Sequence, residues 1–287
     1  MKKGFVVGMG EVLFDLLPAG KQIGGAPVNF IYHISRLGYD GLAVSAIGDD
    51  ALGRDVIDRM LERNIRHQFA VVDKPTGTVK VTLDAAGSPT FDITRNVAWD
   101  FIPVTPELAA AARRCDAFCF GTLAQREAVS RDAIQFFLDT MDKDSIRVYD
   151  VNLRQHYYSK ELIERSLRKS TIFKVNDDEY RILSGMLGFT ADNYETGAEF
   201  LLSNYGLETV ILTCGATGSY IFAKNDKSYL DTPNVQVVDA VGAGDSFTAA
   251  YCAAIFEGKD MRTAHREAVE LAAYVCTKAG AMPEMNR

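Results

Sequence analysis

Cysteine, histidine and tryptophan are scarce in this chain of 287 residues, with five, four and one respectively, and none is spaced for metal or redox chemistry. Cys115, Cys119, Cys214, Cys252 and Cys276 are odd in number, mostly embedded in apolar runs, and form no CxxC pair, so a reducing cytoplasm fits them best. Cys115 and Cys119 fall in one strand-like run, where packing explains them better than zinc. His33, His67, His156 and His265 are far apart and none has HExxH spacing, so no metal is assigned to ligands of this kind. Long apolar runs are missing too: nothing approaches the roughly 18 residues of a membrane span. The opening Met1-Lys2-Lys3 before GFVVGMG has the charge and apolarity of a signal peptide, but Glu11 and Asp15 interrupt the run and no small-residue cleavage site follows; a first buried strand is expected instead. Positive charge is in deficit, 31 Lys and Arg against 38 Asp and Glu, for a net charge of −7. That argues against nucleic acid as a partner while leaving room for a local phosphate pocket. No Gly-rich loop ends in Gly-Lys-Ser/Thr, and GMGEVL at 8–13 lacks the third glycine of the dinucleotide fingerprint, which removes the P-loop and Rossmann readings.

What is present is an ordinary soluble composition, 47% hydrophobic and 24% charged, in a length that suits one α/β domain spanning 1–287 with an appendage. GFVVGMG at 4–10 and LAVSAIG at 42–48 are strand-like. Between and after them come helical patterns at about 26–37, with Phe30, Ile34 and Leu37 on one face and Gly38 as the stop, and near 52–63, with Leu52, Val56 and Met60. The rhythm returns from Asp116 with DAFCFGT, IRVYDVN, STIFKVN and TVILTCG, each expected to lead into a helix. The implied sheet is mostly parallel, with helices on both faces. Between about 68 and 100 the pattern changes: Val79, Val81 and Leu83 alternate with Lys80, Thr82 and Asp84, a turn is expected at AAGS, and Phe91 and Ile93 resume the alternation. Such a hairpin has one apolar face and no helix of its own. A lid over an active site or a contact between two copies of the chain would each cover it.

The most informative segment is DAVGAGDSFTAAY, 239–251, which follows the strand-like VQVV and opens a helix of small and apolar residues. Gly242, Ala243 and Gly244 allow several backbone N–H groups to converge, and the positive end of the helix adds its field, which together make an anion hole. Asp245 in the same turn is placed to accept a proton from a hydroxyl attacking a phosphoryl group. A bare GxGD would equally suit a capped helix start. The longer string, however, resembles at every position the second signature of the ribokinase-like (pfkB) carbohydrate kinases, D-[TAS]-x-G-A-G-D-[ST]-F. The resemblance implies that Asp245 is the catalytic base, that Gly242, Ala243 and Gly244 form the anion hole, and that Asp239 contributes to a potassium site in cation-activated members. It implies a ribokinase-like α/β fold whose β-rich lid comes mainly from about 11–24 and 68–100.

GGAPVNF at 24–30 is similar to that family's N-terminal signature, which assigns Gly24, Gly25 and Asn29 to the sugar; small glycines admit a ring and an amide both donates to and accepts from hydroxyls. Asp15 falls where members grip two sugar hydroxyls, although a turn residue before Pro18 is its plain alternative. NDDE at 176–179 matches the NxxE element, in which Asn176 approaches the phosphates and Glu179 orients water around Mg²⁺, a cation that keeps its waters and needs few protein ligands. A helix start accounts for Asp177 and Asp178 but not for that pair. TCGATGSY aligns with the loop alongside ATP, naming Thr213, Gly215 and Gly218, and the helix at about 264–277 with the turn KAGA falls where members wall the adenine. DVNLR at 150–154 resembles the D-x-N-x-R of fructokinases and 2-keto-3-deoxygluconate kinases. Read bottom-up, Asp150 and Asn152 end a parallel strand and Arg154 offers a fixed cation to phosphates or an acidic acceptor. Arg95 and Trp99 suit the acceptor, a surface arginine or a hinge-packing tryptophan equally well. The expected activity is transfer of the ATP γ-phosphoryl group to a sugar, with fructose first, 2-keto-3-deoxygluconate or a ribokinase-type acceptor next, and a non-catalytic sugar-binding regulator last.

Overall fold

The computed structural model describes residues 4–17, 20–83 and 89–285; the turn expected at 85–88 and Pro18 lie outside them. In chain order the elements are β1 (Phe5–Met9), β2 (Leu13–Leu17), β3 (Gly20–Gly24), α1 (Ala26–Arg36), β4 (Asp40–Gly48), α2 (Ala51–Glu62), β5 (His67–Val72), β6 (Gly77–Leu83) and β7 (Pro89–Ile93). There follow α3 (Pro106–Arg114), β8 (Ala117–Gly121), α4 (Ala128–Thr140), β9 (Ile146–Asp150), α5 (Lys160–Arg168), β10 (Ile172–Asn176), α6 (Asp177–Leu187) and α7 (Tyr194–Tyr205). The chain closes with β11 (Thr209–Thr213), β12 (Gly218–Ala223), β13 (Asp226–Asp231), α8 (Ala243–Phe256) and α9 (Met261–Cys276).

Among the described residues the strands form two sheets, one of nine in the order β13-β12-β11-β10-β9-β8-β1-β4-β5 and one of four in the order β3-β2-β6-β7. Pairing from β5 across to β11 is parallel, and β12 and β13 add an antiparallel edge. The alternation of side chains divides each central strand between two cores. Phe5, Val7 and Met9 of β1 join Phe118, Phe120, Tyr149 and Phe173 on one face, under helices such as α4 and α6. Val6, Ala43, Cys119, Val148 and Ile211 face the other way and pack with α1, α8 and α9. Because β1 leads to β4 on one side and lies beside β8 on the other, the strand order reverses at its carboxyl end, and a crevice opens there.

Three sequence expectations are corrected. TVILTCG leads into the hairpin β12–β13 rather than a helix, since Ser219, Ile221 and Phe222 are buried on a strand that pairs back onto β11. VQVV is not a strand: residues 232–238 carry no ladder, and Val237 and Val238 are exposed. The segment 68–72 belongs to β5 at the edge of the large sheet, paired with β4, so the small sheet draws on 13–24 and 77–93 only. Its hairpin has the expected antiparallel register, with Val79 opposite Ile93, both buried. The stem of the small sheet is pinned by Arg126. Its guanidinium pairs with the fully buried Asp100 at 2.7 Å, donates to the Thr94 carbonyl at 2.6 Å and stacks 4.0 Å over the Trp99 ring.

Two buried imidazoles stitch the α8–α9 side together. His265 on α9 bridges Ser219 and Ser228 at 2.7 and 2.9 Å, and His33 on α1 meets the Ala281 carbonyl at 2.9 Å. Burial drives both rings from the usual 6.5 down to about 4, the Ala281 contact being a smaller opposing effect at His33. A folded-state value below the unfolded one means that the unfolded chain binds the extra protons, so this stability is full above about pH 6.5 and is lost as pH falls toward about 4. In thermal melts across that window, His265→Asn is expected to melt lower than wild type at neutral pH yet to lose less on acidification. An equally steep acid loss in the variant would remove His265 from this account.

Candidate active site

The first turn of α8 forms the floor of the crevice. Gly242 is its N-cap, with φ 79°, a left-handed backbone that glycine adopts without strain. A Cβ there would stand 2.6 Å from the Ala281 Cα, so the turn at 278–281 packs directly on this position. The same turn is fastened by Asp239, whose two carboxylate oxygens accept the Val241 and Gly280 amides, each at 3.0 Å. Tyr32 and His33 on α1 hold the Pro283 and Ala281 carbonyls from the other side.

Asp245 lies one turn in, its carboxylate accepting 2.8 Å from the Asn29 side-chain amide across 216 residues of sequence. The two segments singled out in the sequence, 24–30 and 239–251, therefore meet. Asn29 is buried on α1, and its Oδ1 has no partner among the described residues. Burial pushes the Asp245 carboxyl above the usual carboxylate range; the Asn29 amide, Lys174 and Arg154 pull it back. Ahead of α1, Gly25 has φ 124° and sits against the Glu11 carbonyl, where any Cβ would collide. A Cβ on Gly24 would lie 2.9 Å from Asp15 Oδ2, so the Asp15 carboxylate lies over the Gly24 backbone. Asp15 points from β2 of the small sheet toward Arg154, its carboxyl raised by burial and drawn back by that guanidinium.

Arg154 follows β9 in an exposed loop whose Leu153 amide donates 2.8 Å to Glu179 Oε1. The other Glu179 oxygen accepts the Asn176 amide at 2.9 Å, and Asn176 Oδ1 accepts the Glu179 amide at 2.9 Å. This reciprocal capping box accounts for the Asn176 and Glu179 pair that a plain acidic helix start did not. Each oxygen keeps a further lone pair for water. Asn176 is in register with Thr213 on the neighbouring strand. Beyond Thr213 the chain turns through Gly215, whose carbonyl accepts the Thr232 hydroxyl at 2.6 Å, and returns at Gly218. The residues expected at the nucleotide thus gather at the carboxyl ends of β10 and β11. Arg95 is an exposed partner of Glu127, and Trp99 is buried against Gly77 and Arg126, so neither belongs to the crevice.

Two residues escaped the sequence reading. Glu11, buried just after β1, accepts the Ala26 amide at 3.3 Å with one oxygen and leaves the other without a partner among the described residues. Burial raises its carboxyl to about 7, with backbone amides and Arg154 pulling down and Asp245 pushing up. Its signal was an acid directly behind a buried strand at a sheet switch point. Lys174, whose signal was a cation inside the apolar IFKVN, is buried beside Asp150 at 3.3 Å.

A family model described as pfkB family carbohydrate kinase matches residues 18–286. The chain is 28% identical to probable fructokinase-2 of Arabidopsis thaliana, over 99% of this chain and 93% of that one. It is 26% identical to an ATP-dependent 6-phosphofructokinase of Thermoanaerobacterium thermosaccharolyticum, over 99% and 91%. The fold superposes on the crystal structure of a fructokinase with bound ATP from Xylella fastidiosa with a TM-score of 0.86 at 18% identity, covering 98% of this chain and 94% of that one.

Gly242→Ala places a Cβ in a left-handed conformation, at about 1–2 kcal/mol, and drives it into Ala281. Anion binding at the first turn of α8 is expected to weaken at least tenfold, measured by calorimetry with a nucleoside triphosphate, while sugar affinity changes by less than threefold. Unchanged triphosphate affinity in a folded variant would show that this turn does not receive the anion.

Proposed function

The chain belongs to the pfkB family of carbohydrate kinases, and on that premise we propose that it transfers the γ-phosphoryl group of ATP to a hydroxyl of a neutral sugar, with fructose as the first candidate. The observation that carries the reading is the Asn29–Asp245 hydrogen bond, which joins a polyol-type pocket to a base in the first turn of α8. Asp15, Gly24, Gly25 and Asn29 hold the acceptor; Asp245 receives its proton; the amides of Gly242, Ala243 and Gly244 stabilise charge spreading over the phosphoryl oxygens. Thr213, Gly215 and Gly218 line the nucleotide, and Arg154 reaches the transferred group from the opposite wall.

The donor set fits Mg²⁺ through water. Both Glu179 oxygens already accept amides, so a cation that retains its hydration and takes ATP oxygens as ligands suits this wall. Such an ion neutralises charge on the phosphates when bound. Asp239, whose two oxygens accept the Val241 and Gly280 amides, keeps further lone pairs that suit a monovalent cation such as K⁺.

Charge separates the acceptor candidates. At the acceptor end stand the carboxylates of Asp15 and Asp245, with Glu11 only partly ionised at neutral pH, against one guanidinium, Arg154; Lys174 is offset by Asp150, and Arg95 and Arg126 are already paired with Glu127 and Asp100. A neutral polyol meets this balance better than 2-keto-3-deoxygluconate or a sugar phosphate, whose added anion meets net negative charge. Relatives named for fructokinase and for 6-phosphofructokinase at 28% and 26% identity leave the name alone unable to choose. A coupled ADP-release assay across fructose, ribose, 2-keto-3-deoxygluconate, adenosine and fructose 6-phosphate is expected to give the highest kcat/KM with a neutral sugar, and a preference for an acidic acceptor contradicts the charge argument.

Asp245→Asn keeps the volume and the Asn29 neighbour but removes the proton acceptor. kcat is expected to fall by about 10²–10⁴-fold with ATP and sugar still bound. A folded variant that keeps more than about a tenth of wild-type kcat is incompatible with a base at this position. A regulator without turnover would show no such loss because it has none to lose.

The four-stranded sheet is read as a lid, since a site that transfers phosphoryl groups has to exclude water. Shortening the hairpin of β6 and β7 is expected to raise sugar KM and the ratio of ATP hydrolysis to sugar phosphorylation. If that ratio stays at the wild-type value while the oligomeric state changes, the sheet is a contact between two copies instead.

A further inference from the structure

With Asp245 as the base, one buried cation is left without a role, and any role it has in catalysis rests on that assignment of the base. Lys174 enters from β10 with its side chain 9% exposed, and its ammonium lies 3.3 Å from Asp150 Oδ1. A Cβ on Gly244 would stand 2.9 Å from the same nitrogen, so the ammonium lies against the first turn of α8, one residue before Asp245. A cavity of about 10 Å³, room for a single water, has both Asp150 and Asp245 in its lining. Lysine, two carboxylates and the anion-hole backbone therefore form one compact unit beneath the crevice. A lysine in a buried strand is strongly destabilising unless it is paired. An apolar side chain would serve the sheet at lower cost, so packing does not account for it.

We propose that Lys174 is a positioning residue for proton transfer: its ammonium, fixed by Asp150, is the counter-charge that keeps Asp245 ionised in a dry site, and Asp150 moderates that field. The groups facing Asp245 are the Asn29 amide from α1, Lys174 from β10, Arg154 from the loop after β9, the carboxylates of Asp150 and Glu11, and the Cys119 thiol of β8. Of the two cations, Arg154 is exposed and Lys174 is not. At equal separation a charge acts about fourfold more strongly at an effective dielectric of about 20 than in water, near 80. Lys174 is therefore the stronger of the two cations, second to the Asn29 amide among the groups that hold Asp245 ionised. Its own charge is secure: desolvation works against it, but Asp150, Glu179 and Asp245 together hold its pKa above the usual lysine value.

The test is the acid limb of kcat against pH at saturating ATP and sugar. In Lys174→Met the limb is expected to move up by about one pH unit or more, a tenfold loss in ease of ionisation. In Asp150→Asn, which removes a negative neighbour and leaves the ammonium, it is expected to move down. The double variant keeps volume and neutrality, so it folds even where Lys174→Met does not; compared with Asp150→Asn it isolates the lysine, and its limb has to lie higher. A purely structural role lowers melting temperature or kcat at every pH and leaves the limb in place. An unmoved limb, or single variants shifting the same way, overturns the proposal. The base assignment fails separately: an Asp245→Asn enzyme with normal turnover sinks it, whereas an inactive Asp245→Asn beside unmoved limbs overturns only the role given to Lys174.

Discussion

Everything around the crevice answers to one constraint, a carboxylate buried at a helix start that the proposed reaction needs in its charged form. Asp245 is buried at a helix start, and isolation there favours its neutral form. The remedies come from four separate parts of the fold. Asn29 donates from α1, Lys174 approaches from β10, Arg154 contributes from the loop after β9, and the helix itself presents its positive end. The parallel sheet brings these sources together because its strands end at one level and the order reverses at β1. Dry surroundings that penalise the lone charge also strengthen each contact that offsets it.

The same economy governs the backbone. The capping box of Asn176 and Glu179 starts α6 and, through the Leu153 amide, also fixes the loop that carries Arg154. Asp239 closes the approach to α8 and simultaneously ties down the 278–281 turn. Structural satisfaction of orphan amides and placement of functional groups are therefore one set of bonds. On the proposed reading, a residue such as Glu179 belongs neither wholly to stability nor wholly to the nucleotide.

Much of this was legible in the chain because it is local. The glycines around Asp245, the alternation of Val79 and Ile93, and the strand and helix periods of β1, α1, β4 and α2 are short-range signals. What was hidden depends on neighbours distant in sequence. VQVV has strand composition, but a strand exists only with a ladder partner, and none is available beside α8. The 68–72 segment alternates like its successor, yet β4 offers it a free edge. Lys174 and Glu11 carried no functional sign in the sequence, because the carboxylates, amides and guanidinium that make their burial tolerable come from other segments.

The contact between α1 and α8 carries a consequence for how the molecule comes into being. Asn29 waits for Asp245, and Tyr32 and His33 wait for Pro283 and Ala281, so the crevice closes only once residues 239–283 have joined α1. Contacts of such long sequence separation form late and slowly. During synthesis the early strands emerge and pair long before a phosphoryl donor could be engaged. A chain from which residues 278–283 are missing holds neither Asp245 nor the turn beside it in place, and competence depends on joining segments far apart in sequence rather than accumulating along it.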